Sequence, residues 1–181
     1  MTSNFNKYII ETYNDVYLGK QFNENHTGDK FVKVINDERK HFGFIYKEGM
    51  NIDTNKFEPS VYCAGGLYFT KEKYVSHFID YGSDVWDITI PDDALVHEFE
   101  DGEYKADKFI ISSPRKIRYD EYMEIVEEDG RALEFVPFEL KNKEMCEVAV
   151  NRHGCALQFV PSDLRTKELY DVSAKKSGCV I

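Results

Sequence analysis

"GRALEFVPFELKNKEMCEVAVNRH" runs from Gly130 to His153, and "GCALQFVPSDLRTKELYDVSAKKS" runs from Gly154 to Ser177. Laid one over the other, they are identical at ten of twenty-four positions: Gly, Ala, Leu, Phe, Val, Pro, Leu, Lys, Glu and Val. A third unit opens at Gly178, twenty-four residues further on. Similarity at a fixed period is the signature of stacked supersecondary units. Each unit reads as two helical pieces. Asn142 and Thr166 are N-cap residue types, and Glu144 and Glu168 follow in the first turn, at the positive end of the helix dipole. Met145, Val148 and Ala149 fall at i, i+3, i+4, as do Leu169, Val172 and Ser173. Gly154 and Gly178 stand where a left-handed C-terminal cap belongs. The shorter piece carries Leu157, Phe159 and Val160 before Pro161 halts it. Pieces this short are marginal alone, so stacking must hold them.

The pattern predicts long helices near 120–129, 143–152 and 167–176, the first supplied by Tyr119 to Gly130. Leu133, Phe135, Val136, Met145, Val148, Leu157, Phe159, Val160, Leu169 and Val172 are then the core between them. The last residues, Gly178-Cys179-Val180-Ile181, leave two readings: a closing half-unit, or an array interrupted within a repeat. A prenylated cysteine lies fourth from the end, whereas Cys179 lies third.

A chain of 181 residues has room for one good core, or one core with a small appendage. Hydrophobic content of 42% with 14% aromatics excludes a disordered chain. The net charge of −10 opposes a nucleic-acid or anionic-membrane partner, because a phosphate binder needs a basic face. No apolar run reaches the roughly 20 residues that span a bilayer. Asn, Lys and Glu break the opening "MTSNFNKYIIETYNDVYLGK" too early for a signal peptide. Cys63, Cys146, Cys155 and Cys179 form no CxxC pair and no metal spacing with the histidines, which fits packed thiols in a reducing compartment.

Between Phe31 and Ile117 the texture changes. "FVKVI", "GGLYFT", "VWDITIP" and "KFII" read as strands, and "KEKYVSHFIDYG" places Tyr74, Phe78 and Tyr81 at helical spacing. Trp86, Ile88 and Ile90 alternate with Val85, Asp87 and Thr89, so the first set is expected to face the core. The acidic run Pro91 to Asp107 reads as a solvated loop. Strands mixed irregularly with a helix argue for an α+β fold. The expected architecture is a mixed small sheet domain over 31–118, followed by a solenoid-like helical repeat segment over 119–181. Its units start near 130, 154 and 178, and residues 1–30 are an arm or an added helix.

The repeat pattern, ALxFVPxxLKTxE in outline, resembles an uncharacterised repeat abundant in mimivirus-type giant viruses and some bacteria. The blocks "FVKVIN", "HFGFIYKEGMNIDTNKFEP", "CAGGLYFT", "ITIPDDALV" and "KADKFII" are similar, in order, to an N-terminal domain of ankyrin-repeat and related proteins of those viruses. That resemblance implies a viral domain prefixed to repeat arrays and carries no activity with it.

The expected function is therefore a non-catalytic protein–protein interaction module of a large DNA virus. It would bind host or viral proteins in the host cytoplasm or virion, with no cofactor, metal, nucleic acid or membrane. Stacked repeats present extended surfaces, and the expected contact surface is the alternately charged set Glu144, Glu147, Lys167, Asp171 and Lys175. The alternative rests on "GGLYFTKEKYVSHFIDYG", which resembles the segment of ADP-ribosyltransferases that cradles the nicotinamide end of NAD. It nominates His41, Gly66, Tyr68, Tyr81 and Glu98, with Glu103 as a second choice of carboxylate.

Overall fold

A computed structural model describes residues 9, 13, 15–60, 65–100 and 102–177. Cys63, Cys179 and the unit opening at Gly178 lie outside them. The chain divides into two compact units, Met1–Lys116 and Ile117–Ile181.

The first unit is built on an eight-stranded sheet. Its strands are β1 (Val16–Leu18), β2 (Phe31–Ile35), β5 (Gly49–Ile52), β6 (Leu67–Lys71), β7 (Asp84–Thr89), β8 (Leu95–Glu98), β9 (Glu103–Ala106) and β10 (Lys108–Lys116). They lie in the order β1-β8-β9-β6-β2-β7-β10-β5, every neighbouring pair antiparallel. A separate hairpin pairs β3 (Lys40–His41) with β4 (Phe44–Ile45). Helix α1 spans Gly19–Asn25, and a kinked 3-10 helix spans Glu72–Tyr81.

Strand β2 sits near the middle and is buried at all five residues. It faces β7 with Phe31 opposite Ile88 and Lys33 opposite Trp86. Directly opposed residues share a face, so these four point to one side. Trp86, Ile88 and Ile90 are buried in the main core while Asp87 and Thr89 are exposed; Val85, on the other face, is fully buried as well. The centre of that core is aromatic. Phe22, Phe31, Phe69 and Tyr104 meet with ring centroids 5.0–5.5 Å apart for most pairs. Phe22 arrives on α1, so residues outside the expected 31–118 domain complete its core.

The expected small sheet with a solenoid-like segment is overturned. The sheet is large because β1, β8 and β9 join it, and two of these come from the acidic run read as a solvated loop. There Leu95, Val96, Tyr104 and Ala106 are buried, while Asp92, Asp93 and Glu100 lie exposed in the turns. Long-range pairing, not local composition, made these strands.

The second unit contains α2 (Tyr119–Glu128), α3 (Lys143–Arg152) and α4 (Lys167–Ser177), joined by 3-10 turns at Gly130–Glu134, Phe138–Leu140, Gly154–Phe159 and Ser162–Leu164. No solenoid is evident. Each period supplies one α-helix and two tight turns, and the described pieces close on one small core of Leu133, Val136, Met145, Leu157, Val160 and Leu169. Phe135 is 42% exposed and Phe159 only half-buried, against expectation. The N-caps form: the Met145 N–H donates to the Asn142 side chain at 2.9 Å and the Leu169 N–H to Thr166 Oγ1 at 3.3 Å. The glycine reading needs correction. Helix α3 ends at His153 in extended backbone, φ −143° and ψ 108°, not on a left-handed glycine. Gly130 is a packing glycine: a Cβ there would lie 2.2 Å from the Ala149 carbonyl oxygen. Among the described residues no helix is long and apolar enough to cross a membrane.

Two substitutions test these placements in urea unfolding. Phe22→Ala is expected to cost about 3–5 kcal/mol through the cavity it leaves, where an unattached arm would cost nothing. Gly130→Ala is expected to destabilise the second unit, since backbone on α3 must move to admit one methyl group. A neutral Gly130→Ala would remove the close-approach explanation.

Candidate functional site

The sheet pairing of β2 with β6 covers Phe31 opposite Lys71 and Val32 opposite Thr70. Beyond that ladder the two strands part, and Lys33 reaches into the opening. Its Nζ donates to the Tyr68 carbonyl at 2.8 Å and lies 3.4 Å from His41 Nδ1 and 4.9 Å from the centre of the Tyr46 ring. A cavity of about 250 Å³ opens here. Strand β2 lines it with Val32, Lys33 and Val34, and β6 with Tyr68, Phe69 and Thr70. Glu103 enters from β9, His41 and Phe42 from the hairpin, and Phe78 and Tyr81 from the 3-10 helix.

The hairpin turn explains how His41 and Phe42 reach the cavity. Phe42 and Gly43 have φ of 47° and 83°, so both central residues are left-handed, as in the primed two-residue turns that match strand twist. Glycine adopts this freely; a phenylalanine there is strained. The turn leaves Phe42 82% exposed with its ring against His41, centroids 4.1 Å apart. The His41 ring meets Tyr81 edge to face at 4.6 Å, and its Nε2 is buried with no hydrogen-bond partner among the described residues.

Electrostatics follow from burial. Desolvation pulls Lys33 from the ordinary 10.5 down to about 7, with the Glu103 carboxylate acting in the opposite direction. His41 is pulled down to about 4, first by burial and then by the Lys33 charge. At neutral pH the cavity floor holds an amine near half-protonation beside a neutral imidazole. Burial and then Asp80 and Glu103 raise the Tyr81 hydroxyl.

Of the residues nominated from sequence, His41, Tyr68 and Tyr81 share this cavity, and Glu103 rather than Glu98 joins them. Glu98 is turned elsewhere: it accepts from the Tyr104 hydroxyl at 3.1 Å and lies 3.4 Å from His26 Nε2. Gly66 does not line the cavity. Its left-handed backbone (φ 109°) gives room to the buried Lys105, whose side-chain carbons would meet a Cβ at 2.7 Å. Lys105 Nζ in turn donates to the carbonyls of Glu58 and Ser60, each at 3.0 Å, and sits 5.0 Å over the Tyr68 ring. Lys33, Phe42 and Phe78 escaped the sequence reading. The signal for Lys33 is a single charge inside the apolar strand "FVKVI".

Glu144, Glu147, Lys167, Asp171 and Lys175 are all exposed on α3 and α4. Glu144 and Glu147 border an open depression with Glu127 and Arg152, and Lys143 approaches Glu147 at 3.7 Å. Phe138, 72% exposed in the same unit, was not anticipated. Among the described residues no three His, Cys, Asp or Glu side chains are grouped to hold a metal ion.

A family model described as "Domain of unknown function (DUF4116)" matches residues 121–165, within the second unit. A putative ankyrin repeat protein of Acanthamoeba polyphaga mimivirus is 26% identical over 95 residues, covering 49% of this chain and 47% of the relative. An uncharacterized protein of the same virus is 33% identical over 66 residues, 35% of this chain and 48% of the relative. The chain is similar to giant-virus proteins. It spans about half the length of these curated relatives. No solved structure matches it.

Lys33 also sets a measurable pH dependence. Unfolded, it keeps its proton to about 10.5; folded, it releases it near 7. Between those values the unfolded chain binds more protons, so stability rises with pH. From pH 7 to 9 the rise is expected to reach about 2 kcal/mol, seen as an increasing urea midpoint. Lys33→Met should flatten that segment, and an unchanged slope would assign it to other groups.

Proposed function

We propose that this chain is a protein-recognition module of a giant virus, and that its sheet unit makes contact through the β3–β4 hairpin. One observation carries the reading: Phe42 is 82% exposed on a strained left-handed turn, with Ile45 68% exposed on the adjoining strand. Covering a phenylalanine or isoleucine side chain is worth roughly 1.5–3 kcal/mol each, and rigid aromatic anchors of this kind dominate protein interfaces. Strained backbone that stability alone would remove is commonly kept for function. Similarity to a putative ankyrin repeat protein supports the same reading. The charged surface of α3 and α4 serves as a second contact, and the site of action is the host cytoplasm or the particle.

Asparagine accepts a left-handed turn better than phenylalanine, so Phe42→Asn separates folding from binding. Its urea midpoint is expected to equal or exceed that of the parent protein. Cross-linked partners recovered from infected host cells are expected to fall at least tenfold. Glu144→Lys combined with Asp171→Lys should reduce recovery less. Full retention of partners by a Phe42→Asn, Ile45→Ser double variant would sink the hairpin as the contact.

The transferase alternative draws on one specific observation, the meeting of His41, Tyr68, Tyr81 and Glu103 in one cavity. Its volume of about 250 Å³ lies below the roughly 300–1,000 Å³ of pockets for drug-sized ligands. It accommodates a single ring rather than a whole dinucleotide. A ligand that binds only the folded chain raises its melting temperature. No thermal shift up to millimolar NAD upholds the recognition reading; a saturable shift lost in Tyr68→Ala would reinstate the enzyme.

A further inference from the structure

We propose that Lys33 is a carbonyl-capturing amine, its Nζ forming an imine with a small uncharged aldehyde or ketone that enters the cavity between β2 and β6. The position of the amine carries the inference. Lys33 is almost wholly buried, at 4% exposure, yet its side chain lines an open cavity. Among the described residues its hydrogen-bonding partners are a backbone carbonyl and a neutral imidazole, not a carboxylate in contact. Desolvation, with no carboxylate in contact among the described residues, favours the free amine over the ammonium, against the pull of the Tyr68 carbonyl and the Tyr46 ring face.

Most of the remaining groups around Nζ are uncharged. Tyr46 presents its ring, His41 is uncharged at neutral pH, and Tyr68 and Tyr81 supply aromatic walls. Among the described residues Glu103 is the one carboxylate lining the cavity, and its charge opposes an anionic ligand. These walls suit a neutral carbonyl compound bearing one planar ring or a short apolar chain. With the amine near half-protonated at pH 7, Lys33 offers on the order of a thousandfold more free base than an ordinary surface lysine.

The reaction balances without any further reagent. The Nζ lone pair adds to the carbonyl carbon as the C=O π pair moves to oxygen. One proton passes from nitrogen to that oxygen, giving a carbinolamine. The hydroxyl then leaves with the second nitrogen proton as water, and the C=N bond closes. His41, 3.4 Å from Nζ, holds the amine in place and stands within reach of the proton in transit.

The test is reductive trapping on the full chain. Benzaldehyde and sodium cyanoborohydride are added at pH 7, and benzylation at each lysine is followed by peptide mass spectrometry. Lys33 is expected to react at least tenfold faster than the exposed Lys40 and Lys175, and the preference should vanish in urea. The Lys33→Arg protein should lack the fast site while the surface lysines react unchanged. Labelling of Lys33 at the pace of Lys40, an absence of labelling in the folded chain, or a preference that survives urea would each overturn the proposal.

Discussion

Strand β2 is buried along its whole length, and the middle of its five residues is a lysine. That placement constrains everything around it. A buried amine must find acceptors, and the ladder between β2 and β6 has ended where Lys33 needs them. Tyr68 offers its carbonyl and the β3–β4 hairpin brings His41 alongside. The lysine sets the chemistry of the cavity, since the same burial that makes the amine costly also strips its proton near neutrality.

The sheet unit is stable around this feature because the same face, beyond Lys33, is aromatic and closely packed. Phe22, Phe31, Phe69 and Tyr104 come from four separate elements, α1, β2, β6 and β9. Their mutual contacts bind the N-terminal segment and the acidic run to the central strands. Each element alone is short: β1 has three residues, and β8 and β9 four each. None would persist without the pairing partners that tertiary folding supplies.

The second unit follows a different logic. Its period of twenty-four residues places a small residue on each long helix where a turn must approach: Ala149 opposite Gly130, and Ser173 opposite Gly154, with Ser173 Oγ donating to the Gly154 carbonyl at 2.9 Å. At Gly130 the glycine is required because backbone touches backbone. The caps at Asn142 and Thr166 satisfy N–H groups at the helix starts, and 3-10 turns link the helices at tight corners. The outcome is a small closed core with Phe135 and Phe138 left outside it.

What the sequence by itself determined is local. Capping residues, the alternation of Trp86, Ile88 and Ile90, and the period of the C-terminal third all act over a few residues, where steric and hydrogen-bonding rules are strong. His41, Tyr68 and Tyr81 were nominated together only through the resemblance to an ADP-ribosyltransferase segment. Which carboxylate joins them was not legible: Glu98 and Glu103 both flank one acidic turn, and only the pairing of β6 with β9 decides that Glu103 stands opposite Thr70 on the cavity side. The burial of Lys33 and the eight-stranded extent of the sheet likewise belong to tertiary structure. Each depends on residues dozens of positions apart being brought into contact, and no periodicity within a short window records that.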